Sequence, residues 1–117
     1  MSEKINTLIQ DLTIFFIKEN YKKYIEDNNI NSIPENKLNS IINKLYTEKK
    51  NNLKEFIKNS LKEILKEKYI GDLVLENIFT EMFNDELLCK NRLIIEIKIY
   101  QEKNKNKNEN INYDKIL

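Results

Sequence analysis

The sequence predicts an all-α fold: a compact bundle of four to five helices, with a low-complexity polar segment and a short apolar C-terminal tail. Three observations predict it. Apolar residues recur at i, i+3, i+4 and i+7 along most of the chain, which puts them on one side of a helix. Clusters of Asn, Asp and Ser, together with the single Pro and the single Gly, separate these stripes and supply turns and caps. With 117 residues, 40% hydrophobic and 33% charged, the chain suits one soluble domain with a core of its own.

Residues 3–27 read as the first helix. Ile5, Leu8, Ile9, Leu12, Phe15 and Phe16 form its stripe, and Tyr21, Tyr24 and Ile25 extend it. The run IFF at 14–16 is wide enough to be covered on two sides. The turn formers of EDNNINS (26–32) end the helix. In SIPENKL (32–38), Ser32 and Glu35 have capping-box spacing, and Pro34 falls in a first turn, where its missing N–H costs nothing. Leu38, Ile41, Ile42, Leu45 and Tyr46 mark the face of a second helix. TEKKNN (47–52) interrupts that face. Either Asn52 caps a new helix or the same helix runs on with a polar gap. Leu53, Phe56, Ile57, Leu61, Ile64 and Leu65 resume the pattern.

Gly71 follows Lys66 and Lys68, as expected of a residue just past a helix end in the left-handed conformation. Asp72 can cap a short helix over 73–83, with Leu75, Ile78, Phe79 and Met82 on one face, and Asn84–Asp85 gives another turn and cap.

CKNRLIIEIKIYQEKN (89–104) has two readings. Alternation over 92–100 suits a strand. A helix from Glu86 puts Leu87, Ile94, Ile97 and Tyr100–Gln101 on one face, with Leu88, Ile95 and Ile99 on an adjoining one. The helix is preferred, because a lone strand in a helical chain leaves its backbone groups without partners. As a strand, it would pair with the same strand of a second chain. EKNKNKNEN (102–110) reads as a solvated linker. INYDKIL (111–117) reads as a loosely packed tail or a docking peptide. The bundle therefore spans 1–103, with 1–52 and 53–103 as two conceivable sub-units, and 104–117 is linker and tail.

Composition excludes several chemistries. The chain has no His, one Cys (Cys89) and one Gly. It therefore offers no imidazole base, no structural zinc set and no phosphate-cradling glycine loop. The carboxylates sit beside Lys at helix-surface spacing and read as a solvated face. An enzyme is not expected, nor is a cofactor. A net charge of +1 argues against binding nucleic acid by bulk charge. No apolar run reaches membrane length and no signal peptide is evident, so the expectation is a soluble intracellular protein. The abundance of Ile, Asn and Lys, all with AT-rich codons, reflects an AT-biased genome and makes Lys the default surface residue.

Residues 53–104 carry a resemblance. Leu75, Glu76, Ile78 and Phe79, followed by Lys90, Asn91 and Arg92, resemble the central domain of the TFIIS family, the transcript-cleavage elongation factors of RNA polymerase II. NINYDKIL loosely resembles the segment that follows the family's third helix. The resemblance implies a three-helix bundle that docks on the polymerase through Lys90, Asn91 and Arg92. The family continues after Lys-Asn-Arg with basic residues, where this chain has Ile94, Ile95, Ile97 and Ile99. Its zinc ribbon is not present, so transcript cleavage is not expected of this chain alone.

Two expectations about function follow. The first is a non-enzymatic protein–protein interaction module that binds through Lys90, Asn91 and the chain's only arginine, Arg92, with RNA polymerase as the named partner. The alternative is a self-associating helical structural protein, a homodimer or assembly component, joined through Ile95, Ile97 and Ile99.

Overall fold

The structure, a computed structural model, describes residues 2–84 and 86–116, with the side chains of 3–84 and 86–104. It contains α1 (Ser2–Asp27), α2 (Glu35–Leu65), a 3-10 turn at Lys66–Lys68, α3 (Asp72–Met82) and α4 (Lys90–Ile116). The all-α bundle predicted from the stripes is what forms. Residues 92–100 lie within α4, so the strand reading is discarded.

α1 is covered on two sides. Ile5, Ile9, Thr13 and Ile17 are buried, as are Ile14, Tyr21 and Ile25 further round the helix. The hydroxyl of Thr13, the one buried polar residue among those described, donates to Ile9 O at 2.8 Å. Of the IFF run, Ile14 is in the core and Phe16 is half-buried, but Phe15 is 54% exposed. Each residue turns the helix by about 100°, so three consecutive side chains cannot all face inward. Asn29 ends the helix at φ 54, and Ile30 N–H reaches back to Ile25 O at 2.8 Å. Asn tolerates this left-handed position and leaves the last carbonyls satisfied.

The expected Ser32–Glu35 capping box does not form. Pro34 is the residue before α2, no side chain caps it, and its carbonyl accepts from Lys37 and Leu38 N–H. The polar break at 47–52 does not end α2, which is continuous for 31 residues. Leu38, Ile42, Leu45 and Tyr46 are buried before the break, and Leu53, Ile57 and Leu61 after it. Within the break, Lys50 Nζ donates to Asn84 O at 3.1 Å and sits 5.4 Å from the Tyr46 ring centroid. α2 thus runs straight through the 52/53 boundary.

Gly71 has the positive φ expected of it (95°) but precedes α3 instead of ending α2. Lys66 closes α2, at φ 50. Asp72 is accordingly the first residue of α3, not its cap. α3 buries Leu75 and Phe79, with Ile78 and Met82 half-buried, and lies against α2. The Tyr46 hydroxyl donates to Phe83 O at 3.3 Å, and the Phe79 and Phe83 rings meet edge to face at 5.4 Å.

α4 begins at Lys90, after Cys89 at φ 60, and not at Glu86; the expected Asp85 cap lies outside the described residues. Its backbone stays helical to Ile116, so 102–110, expected as a solvated linker, continues α4. Asn, Lys and Glu can all extend a helix that is already nucleated, because propagation costs far less than initiation. The side chains of Ile111, Tyr113, Ile116 and Leu117 lie outside those described.

α1 and α4 run in the same direction, with Asp11 beside Arg92, Lys18 beside Glu96 and Tyr21 beside Gln101. α1 and α2 run in opposite directions: Phe16 meets Phe56, and the start of α1 meets the end of α2. One hydrophobic core takes residues from all four helices, from Ile5 to Ile97. Among the described residues, no buried side-chain N or O lacks a partner, and no helix is long and apolar enough to cross a membrane.

Candidate functional site

The first turn of α4 presents Lys90, Asn91 and Arg92 together. They line a groove of about 750 Å³, closed on its other side by Asn43, Tyr46 and Thr47 of α2. Asn91 and Arg92 are exposed, and Lys90 is half-buried. Arg92 is already engaged within the chain, with Nη2 lying 2.9 Å from Asp11 Oδ1. Each side chain of this pair is about half exposed, so the guanidinium keeps a solvent-facing edge. Cys89 opens into the same groove. Burial raises its thiol above the ordinary value; Arg92 pulls it down and Asp11 pushes it up. It therefore stays protonated at neutral pH, and a thiol is a poor nucleophile.

The residues expected to join two copies do not share one surface. Ile95 and Ile99 are 57% and 46% exposed, one turn apart on the outside of α4. Ile97, expected at that surface, is instead fully buried in the core. In a helix it points about 200° away from Ile95, so both cannot face a partner.

A second groove has no counterpart in the expectations. It holds about 820 Å³ between the first three turns of α1 and the end of α2. Ile5, Leu8, Ile64, Leu65 and Ile70 make its floor, and Glu3, Lys4, Asp11 and Lys68 stand at its edge. One turn beyond it on α1 stands Phe15, stacked on Phe56 with centroids 6.0 Å apart and planes at 17°. The signal in the sequence is the width of the α1 stripe: Leu8 and Leu12 pack half-buried against the core, and Phe15 is left 54% exposed.

The chain matches no protein-family model, no curated protein and no solved structure. The geometry alone therefore bears on function. Among the described residues, no group of three or more Cys, Asp or Glu is placed to hold a metal ion. The ion pairs lie at the surface, as between Lys58 and Glu55 at 3.4 Å. The large apolar side chains Phe15, Ile64, Leu73, Val74, Ile95 and Ile99 reach solvent.

Proposed function

We propose that this protein is a helical protein–protein interaction module with no catalytic role. The observation that supports it is an asymmetry. Among the described residues, every buried polar side-chain atom is partnered, yet large apolar side chains stand at the surface. A contiguous apolar surface, such as the groove lined by Ile5, Leu8, Ile64, Leu65 and Ile70, usually marks a contact with another protein.

The first partner to test is RNA polymerase, which the resemblance of residues 53–104 names. Docking would use the groove at the start of α4, with Lys90 and Asn91 free to turn outward and Arg92 offering its open edge to a carboxylate. An affinity pull-down with wild type, Lys90→Glu and Arg92→Glu, read by mass spectrometry, tests this. Polymerase subunits recovered with wild type and lost with both variants would support it. Equal recovery with all three would refute this docking site.

A second reading, a self-associating structural protein, is favoured by the exposure of Phe15, Ile95 and Ile99 and by the apolar groove beside α1. Recovery of the chain alone in the pull-down would leave this reading standing.

A further inference from the structure

We propose that two copies of this chain pair through α1, each burying its Phe15 in the apolar groove of the other. The inference deepens the self-association reading and rests on it.

Phe15 and the groove lie on one side of α1. Lys4, Leu8, Asp11 and Phe15 are spaced i, i+4, i+7 and i+11, which returns to nearly the same side of a helix at each step. Leu8 lines the groove, and Phe15, stacked on Phe56 of α2 but more than half exposed, stands about 10 Å further along the axis, at roughly 1.5 Å per residue. A knob and a hollow on one face at a fixed spacing are self-complementary. A two-fold axis midway between them sets each knob over the other copy's hollow, as an isologous interface requires. The groove's 820 Å³ is ample for a phenyl ring.

Charge fits the same operation. The axis that sets Leu8 opposite Phe15 also sets Lys4 opposite Glu19, both of them exposed. Two symmetric Lys–Glu pairs would then flank the apolar centre and fix its register. Glu19 now rests on Lys22 at 3.3 Å, a surface contact that is cheap to exchange. Near the axis the two Asp11 carboxylates approach one another. Each is neutralised by Arg92 of its own copy, which gives the chain's only arginine a place in the interface.

Sedimentation velocity of the full chain, from low micromolar to near-millimolar concentration, tests the proposal. The expected result is a dimer that Phe15→Ser weakens by more than about tenfold, with helical circular dichroism unchanged. Lys4→Glu should also weaken it, and Lys4→Glu combined with Glu19→Lys should restore it. A dimer indifferent to Phe15→Ser but lost with Ile95→Ser would keep self-association and overturn this face. A monomer at every concentration would overturn both. If Phe15→Ser unfolds, the charge-reversal pair decides alone: failure to restore the dimer overturns the proposal.

Discussion

Gln101 Oε1 accepts hydrogen bonds from the Tyr21 hydroxyl and from Ile33 N–H, the latter at 2.9 Å, and so ties α4 both to α1 and to the turn before α2. Its Nε2 donates back to Ile33 O at 3.4 Å. A single amide thus closes the open end of the bundle.

Gln101→Leu should therefore be costly. It strands the Tyr21 hydroxyl and the Ile33 N–H, at about 1–3 kcal/mol for a buried donor left without a partner. Urea unfolding measures the loss. Burial, then the neighbouring Tyr100, push the Tyr21 phenol up to about 12 from 10.0. Its folded value is raised, so its contribution is complete below pH 10.0 and is lost as pH climbs toward about 12. Tyr21→Phe should flatten that alkaline limb in unfolding experiments.

Removing the Arg92–Asp11 pair should change monomer stability little. Both side chains are half exposed, and pairs of that kind are worth about 0–1 kcal/mol. A double-mutant cycle with Arg92→Leu and Asp11→Asn, run on the monomer, should give a coupling below about 1 kcal/mol that fades with added salt. A larger value would mean the pair is more shielded from water than its exposure indicates.

Two isoleucines on one helix should behave differently. Ile97→Ala opens a hole in the core and should cost about 2–5 kcal/mol. Ile95→Ala, on the exposed side, should stay within about 0.5 kcal/mol of wild type. Thermal melts of the two variants side by side would show the difference. Similar losses from both would contradict the orientation of α4.

Asp72 should titrate below its ordinary 3.8. The Tyr69 hydroxyl donates to its carboxylate at 2.6 Å, and Lys62 stands 3.6 Å away. Both favour the charged form, and the hydrogen bond is the larger effect. A lowered carboxylate contributes stability above its unfolded value, which is lost as pH falls through the folded one. The effect is thus confined to acid below about pH 4. Tyr69→Phe should move the Asp72 midpoint, followed by NMR, back toward 3.8.

Several elements were legible in the sequence because their signals are local. The 3.6-residue period marks α1, both halves of α2, and α3, and the Asn-rich segment at 28–31 supplies the turn after α1. Local signals also misled. Ser32 and Glu35 have the spacing of a capping box, but α2 begins at Glu35 itself with Pro34 before it, so Ser32 stands too far ahead to be the cap. Composition marked 102–110 as a linker, although a helix already running through Ile97 can carry polar residues onward. At the candidate site, Lys90, Asn91 and Arg92 stand in one turn as their adjacency implies, but nothing near Arg92 in sequence announces Asp11.

By itself, the sequence determined that this chain folds as helices, roughly where they lie, and that it offers no imidazole and a single thiol. Those conclusions need only periodicity and residue counts. Tertiary structure decided which of two adjoining stripes goes inside, putting Ile14 and Ile97 in the core and leaving Phe15 and Ile95 in solvent. It decided that α2 would run on through its polar stretch and that an apolar groove would open beside Leu8. The physical reason is that a helix with a wide apolar surface has several nearly equivalent ways to face a core. The choice among them is made by neighbouring helices whose positions no local pattern records.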